Sequence, residues 1–404
     1  MKLLMIENNC LLSRQPIYGP AMEVSAYELR TNYVADDGGA DVSNDQLRTI
    51  FKMFTDEGLD LVVGERQGLV TLNAEALAEG LWKTIPKSRV MLGYFQTFDP
   101  SDEVADQLSK IAAEGYLLAL SGDLSPECLA KFKRNVRLVM LDVSTFMPEE
   151  LRKRVTELRE FNTNITAVKV DTYDDLEYCK ELEFDFFQGH FLFRQATQAN
   201  TIPINRLNMV RLLSKLQDSK IQIPEVEQLV SQDVSLTYKI LQYANSAGAG
   251  LSRKVNSAGH AVRLVGLDTI RAWSSALLLS AVDNKPRELM TSALIRSRMC
   301  GLLGESLKGA EKESFASAGL LSVLDAMLDC PMEKALAELP LADDLKAALI
   351  HRAGQMGQAL RCTIAYEHAD WDEVQFYGMA PAAIRDKYMS ALVWARHLTG
   401  GLLN

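Results

Sequence analysis

At 404 residues, with 53 acidic against 43 basic side chains and a formal net charge of −10, the chain is poorly suited to bind nucleic acid or an anionic membrane. Hydrophobic residues make up 48% and charged ones 24%, an ordinary globular balance, and the length asks for two domains or three rather than one core. No window approaches the roughly 18 to 20 uninterrupted apolar residues of a membrane span. The opening "MKLLMIENNC" has too short an apolar run before Glu7 for a signal peptide, so the cytoplasm is the expected compartment.

In chain order, short β-rich runs alternate with helical ones to about residue 195. The strand-like runs are 24–30, 59–63, 69–72, 89–95, 116–121, 137–143, 165–170 and 184–189. Between most of them lie helical patterns such as "PSDEVADQLSKIAAEG", "SPECLAKFKRN" and "MPEELRKRVTELREFN", several with proline in or near the first turn. Strands alternating with helices predict a parallel sheet, and eight of them in so short a stretch predict a closed (β/α) barrel. After the polar stretch 195–203 the period changes. From Arg206 onward apolar residues recur at three and four, as in "RLNMVRLLSKLQDS" and "DTIRAWSSALLLSAV", and no convincing strand remains. The reading is therefore an α/β barrel over 1–195, a short linker over 196–205 and an all-α domain over 206–404.

Within the first of these strands, "EVSAYELRTNY", alternation puts Glu28 on the face of Val24, Ala26 and Arg30. Glu28 either pairs with Arg30 on a solvated face or belongs to a charged site completed elsewhere. Chemistry in a (β/α) barrel sits at the C-terminal ends of the strands. Those ends offer Glu28, Asp142 and, further out, Asp123 and Asp171, a thin supply for a hydrolase that must hold two divalent metals. The six cysteines are scattered without a C-x-x-C, which reads as buried thiols in a reducing compartment. The five histidines never fall three or four residues apart, so no helix presents a pair of imidazoles to a metal.

The order of motifs over residues 11–195 resembles the EAL domain, the (β/α) barrel of cyclic di-GMP phosphodiesterases. "RQPIYG…AYEL" is similar to the opening of that family, with Gln15 and Glu28 in matching places, and "FDFFQGH" is similar to its closing Q-G-Y, with Gln188 retained. "VMLD" keeps Asp142, but Met140 stands where the family has its lysine. Ser121 and Gly122 replace the paired aspartates, Val168 a ligand glutamate, and Asp171 shortens a second one. Asn32 takes the place of the phosphate-binding arginine, and Gly93 that of a ligand asparagine. The resemblance thus implies a barrel that has lost most of its metal-binding charge, with Gln15, Glu28, Asp142 and Gln188 as a vestigial ligand site and Glu28 as a structural residue of the mouth. A mouth filled by its own side chains, among them Met140, Val168 and Asn32, leaves a nucleotide no seat.

The stretch from Pro224, "IPEVEQLVSQDVSLTYKILQYANSAGAGLSRKVNSAGHAVRLVGLDTIR", resembles the HDOD domain, an all-α relative of HD-superfamily phosphohydrolases. Leu236, Ile240, Leu241 and Ala244 form one apolar stripe, so most of the matching positions read as packing. Asp233 suits an N-cap and Asn245 a helix ending. Where HD enzymes carry a His-Asp pair, "AGLLSVLDAML" has Ser322 and Val323, and Arg296 falls at the upstream histidine. Asp325, one turn on, reads as a capping or surface carboxylate. The loop residues Arg253 and Lys254, with Tyr238 and Asn245, are the protein-interaction candidates, although Tyr238, Tyr243 and Trp273 read by default as core.

Both resemblances imply a non-catalytic signalling adaptor that binds other signalling proteins, in motility or cyclic di-GMP-linked regulation, with neither metal nor cofactor. They also allow homodimerisation through the barrel. The competing expectation is a sensor that binds cyclic di-GMP or another nucleotide in the barrel without hydrolysing it.

Overall fold

The computed structural model describes residues 10–33, 56–95, 99–132, 135–195, 212–218, 220–232, 234–245, 255–280, 285–337, 339 and 341–402. The chain forms two compact units, Met1–Arg194 with Glu367–Trp371, and Gln195–Tyr366 with Asp372–Asn404.

The first unit is a closed barrel of eight strands: β1 (Cys10–Tyr18), β2 (Val24–Tyr33), β3 (Gln67–Thr71), β4 (Val90–Tyr94), β5 (Leu118–Ser121), β6 (Val136–Asp142), β7 (Asn164–Val168) and β8 (Phe186–Gln188). Strands β2 to β8 run parallel to their neighbours, whereas β1 is antiparallel to both β2 and β8. The tight turn at Gly19–Glu23 imposes this, because a connection so short joins only antiparallel strands. The all-parallel expectation is corrected accordingly.

The count of eight agrees with the sequence reading, but one member differs. "LDLVV" is the end of a helix, α1 (Asp56–Val63), and β1 takes its place in the barrel. Leu59, Val62 and Val63 are all buried, and their spacing of three and four is that of a helix face. Val62 and Val63 gave the run its strand-like composition; the neighbours decided otherwise.

Alternate strand residues fill the barrel. Ile17, Ala26, Leu69, Met91, Ala119, Leu138 and Met140 make one buried cluster, against which Phe95, Val168 and Phe186 pack. Around it lie α2 (Ala74–Ala78), α3 (Asp102–Ala113), α4 (Pro126–Phe132), α5 (Pro148–Arg159) and α6 (Tyr173–Glu181). Each offers a narrow apolar face: Val104, Leu108 and Ile111 on α3, Leu151, Val155 and Leu158 on α5. Asn73, Ser101 and Thr172 cap α2, α3 and α6 through their side-chain oxygens, each worth about 1 kcal/mol. Tyr18 closes the circle, pairing with Phe187 and meeting the Phe191 ring edge-on at 5.4 Å.

In the second unit every regular element among the described residues is helical: α7 (Ile223–Ser231), α8 (Val234–Ala244), α9 (Ala258–Val265), α10 (Leu267–Ser280), α11 (Arg287–Gly304), α12 (Lys312–Leu321), α13 (Leu324–Leu328), α14 (Met332–Ala337), α15 (Asp343–His351), α16 (Gly354–His368) and α17 (Pro381–Leu402). The central α11 is buried nearly all round, from Glu288 to Gly304, and packs against α12 and α17. No helix among the described residues is long and apolar enough to cross a membrane. All six cysteines are buried, none in a disulfide.

Candidate functional site

At the C-terminal end of the barrel strands the register sets Gln15 opposite Glu28 and Ser13 opposite Arg30. Glu28 is 6% exposed, and its Oε2 accepts from Arg30 Nε at 3.2 Å, Arg30 Nη2 at 3.1 Å and Gln188 Nε2 at 2.9 Å. Glu28 thus both pairs with Arg30 and sits in a site: its carboxylate is buried at the barrel mouth, while the Arg30 side chain remains partly exposed. A carboxylate oxygen so engaged has little electron density left for a cation.

Asp142, at the end of β6, is committed in the same way. Its Oδ1 accepts from the Ser144 amide at 3.1 Å and hydroxyl at 2.6 Å, while Oδ2 meets Lys169 Nζ at 2.6 Å. Burial pushes the carboxyl up, but Lys169 and the Ser144 bonds more than offset it, and the net shift is downward. Asp123 is exposed and bonded to the Ser121 hydroxyl at 3.2 Å. Asp171 accepts from the His190 amide at 3.1 Å and touches His190 Nδ1 at the same distance.

The structure thus brings Gln15, Glu28 and Gln188 together and places Asp142 at the end of a separate strand, occupied by Lys169. Two positions also lack room for a ligand. A Cβ at Gly122 would lie 2.7 Å from Leu141 Cδ1 and 3.2 Å from the Met140 carbonyl oxygen. A Cβ at Gly93 would lie 2.9 Å from the Phe95 ring. Met140 and Val168 belong to the apolar filling. These residues do not fit a pair of dications, which requires several unengaged oxygen donors. Among the described residues no group of three or more His, Cys, Asp or Glu side chains converges to hold a metal ion.

One part of the mouth lay beyond sequence reasoning. The segment Glu367–Trp371 packs as part of the barrel unit. Ser13 Oγ donates to the Glu367 carbonyl at 3.2 Å, and Gln15 Nε2 to that of His368 at 3.4 Å. The His368 ring lies on that of His190, centroids 3.8 Å apart and planes tilted by 33°. Burial lowers the His190 pKa; Asp171 and Asp370 oppose that, and Arg30 adds to it. Ala369 adopts φ +60°, a left-handed conformation that costs a non-glycine residue about 1 kcal/mol, so the surrounding contacts hold the segment in place. The unusual backbone at Ala369 leaves no trace in the sequence.

In the helical unit, Arg296 is 3% exposed and its Nη1 donates to Ser322 Oγ at 3.3 Å. Val323 is buried beside Ser322. Burial raises the Asp325 carboxyl, with Arg296 and Arg352 pulling the other way. Burial lowers Arg352, and the Arg296 charge lowers it further. Asp325 is half-buried rather than on the surface; its Oδ1 accepts from the Ala326 amide at 2.9 Å, and it lies in the field of two guanidinium groups.

Of the interaction candidates, Tyr238 is 66% exposed, against the core placement its helical position suggests. Trp273 is buried, as its position suggests. Asn245 is committed to its own backbone: its side-chain amide donates to the Leu241 and Val255 carbonyls and accepts from Val255 N at 2.7 Å. Asn245 is exposed and ties Val255 to the helix end, the helix-ending role expected of it. Arg253, Lys254 and Asp233 lie outside the described residues.

Comparison with known proteins places these features. The HDOD domain model matches residues 202–360. Over 403 residues the chain is 26% identical to the cyclic di-GMP phosphodiesterase CdgJ of Vibrio cholerae serotype O1, covering 96% of this chain and 92% of that protein. It is 23% identical to the uncharacterized protein YuxH of Bacillus subtilis, covering 96% and 98%. Solved structures similar to it include the PaMucR phosphodiesterase in complex with c-di-GMP (TM-score 0.37, 17% identity, 45% of this chain and 89% of that one). Another is the Bacillus subtilis YkuI protein, with an EAL domain (TM-score 0.36, 16% identity, 46% and 55%). Scores of that size assign neither ligand nor chemistry to this chain. The chain is an eight-stranded closed barrel followed by a helical region that contains an HDOD domain, homologous along nearly its whole length to CdgJ and YuxH.

Proposed function

We propose that this protein is a non-catalytic signalling adaptor that works by binding other proteins, within motility or cyclic di-GMP-linked regulation. The observation that carries the reading is the state of Glu28: the carboxylate at the position of a ligand in the resemblance already holds Arg30 and Gln188 on one oxygen. Asp142 with Lys169, the closed-in glycines 93 and 122 and the seat of Glu367–Trp371 on Ser13 and Gln15 support it further. The HDOD domain supplies the partner-binding helices, with Tyr238 as an exposed aromatic anchor.

A second reading has one observation in its favour, the similarity to a relative named as a cyclic di-GMP phosphodiesterase. In that reading the barrel binds cyclic di-GMP and transmits its presence. Two measurements separate the readings. Incubation of concentrated protein with cyclic di-GMP and magnesium or manganese, followed by mass spectrometry, yields no linear dinucleotide from an adaptor. Calorimetric titration with cyclic di-GMP yields no heat from it, while its complexes with signalling partners survive EDTA. Linear product above the metal-only control overturns the adaptor reading, and saturable heat without product replaces it with the sensor.

A further inference from the structure

The helical unit contains a cavity of about 200 Å³ that neither the packing of the HDOD fold nor the reading above uses. It lies among residues of α10, α11, α12 and α17. Arg296, Ser322, Val323 and Asp325, the positions related to the HD metal site, do not line it. Interiors are close-packed, and an apolar cavity of roughly 150 Å³ already takes up benzene, so this one has room for an aromatic ring.

Its chemistry is uneven in an informative way. Two of the four tryptophans of the chain, Trp273 and Trp394, border it, with the aliphatic Leu294, Leu320 and Leu398. Three cations, Arg271, Arg298 and Lys312, face two acids, Asp268 and Glu313, a surplus of one positive charge. The balance is looser than the count. Asp268 has a side chain 70% exposed and reaches Arg271 only at 3.5 Å. Lys312 meets Glu305 only at 3.9 Å.

Arg271 is 7% exposed, its remaining bond is one to the Asp218 carbonyl at 3.2 Å, and its Nε has no acceptor. Arg298 stands over the Trp394 ring at 5.8 Å, and its buried Nε also has no acceptor. Buried guanidinium N–H groups seldom remain unsatisfied, and a cation beside an indole at the edge of an empty space is the arrangement that receives an aromatic anion.

We propose that this cavity binds a small planar aromatic anion, its ring beside the two indoles and its carboxylate or phosphate met by Arg298, Arg271 and Lys312. The position also suits regulation, since α11 is the central helix of the unit and a ligand there touches three of its neighbours.

Isothermal titration of the full chain with indole-3-acetate and with phenyl phosphate tests the assignment and distinguishes the two anionic groups. At least one gives saturable heat, and the uncharged indole-3-ethanol binds about tenfold more weakly, the loss expected for one charge-assisted contact. R298Q weakens the anion about tenfold, and Ala316→Phe, which fills the cavity wall, abolishes the heat while the far-ultraviolet circular dichroism is retained. Should Ala316→Phe fail to fold, R298Q alone decides. The proposal is overturned if neither anion gives heat at millimolar concentration, if the alcohol binds as well as the acid, or if R298Q binds like the wild type.

Discussion

Replacing Glu28 by alanine separates a structural carboxylate from a spare ligand. The substitution strands the Gln188 amide, in a residue 1% exposed, whose Nε2 bond to Glu28 is the one seen at 2.9 Å. One buried donor left without an acceptor costs about 1–3 kcal/mol. Arg30 loses two bonds, but its side chain is 38% exposed and turns to water, so that pair adds no more than about 1 kcal/mol. The sum for E28A is about 2–3 kcal/mol, taken from the middle of these ranges. E28Q keeps the volume and one acceptor oxygen and costs about 1 kcal/mol.

Pulsed hydrogen exchange in increasing urea, read by mass spectrometry, follows the barrel peptides 24–33 and 186–194 separately from those of the helical unit. The two units need not melt together, so a single global midpoint would blur the effect. With EDTA present, E28A lowers the stability of the barrel peptides by the stated amount and leaves the helical peptides unchanged. A structural role is refuted if E28A matches the wild type within about 0.5 kcal/mol in EDTA, the scatter of neutral surface changes. It is refuted equally if the loss appears only when manganese is added, the signature of a metal ligand.

Acidification from neutral pH should loosen Glu367–Trp371. Burial holds the His190 pKa below that of the unfolded chain, near 6.5, so the unfolded state binds more protons and stability falls as the pH drops through that value. Protection of a peptide over 364–376, corrected for the intrinsic exchange rate at each pH, therefore falls below about pH 6.5, and His190→Asn removes the dependence; an unchanged pH profile in the variant refutes the role of His190. Gly122→Asp forces a side chain against Leu141 and the Met140 carbonyl and lowers barrel stability by about 1–3 kcal/mol in the same urea experiment. In the helical unit, Lys285 and Asp329 pair at 2.6 Å with side chains 5% and 15% exposed. Asp329→Asn keeps a residue that tolerates φ +54° but removes the carboxylate from the 2.6 Å pair with Lys285, and lowers the stability of the helical peptides in the same urea experiment by about 1 kcal/mol or more.

The barrel and the helical unit were legible because hydrophobic period is a local property. The change near residue 195 from alternation to spacings of three and four separates the strand-bearing region from the helical one, and every regular element described after it is a helix. The error over 59–63 shows where period yields to composition: five residues are too few to separate strand from helix when two of them are valines. Strand β1 was missed for the complementary reason. Its sequence, CLLSRQPIY, contains a proline and turns Ser13 and Gln15, both buried, toward groups that only the closed barrel supplies. Polar residues on an inner face read as loop until their partners are known. Those partners, Glu367 and His368, lie 354 and 353 residues away, and no local signal announces them.

The site divides along the same line. Side-chain identity at Ser121, Gly122, Met140 and Val168 is written in the sequence, whereas the fate of the retained Glu28 is a matter of electrostatics that only geometry settles. A divalent ion coordinated by Glu28 Oε2 would sit about 2.2 Å from that oxygen. The guanidinium nitrogens of Arg30 stand 3.1 and 3.2 Å from the same atom. Ion and guanidinium would then lie about 4–5 Å apart, and a charge of +2 against +1 at that distance, with an effective dielectric constant near 20, repels by about 7 kcal/mol. That exceeds what one carboxylate at a partly solvated mouth returns, so a cation enters only after Arg30 has swung away. Arg30 is itself the product of strand alternation, two residues on from Glu28 and on the same face. The pair that the first strand-like run of the sequence displays is thus the same pair that supports a structural rather than a catalytic fate for its carboxylate.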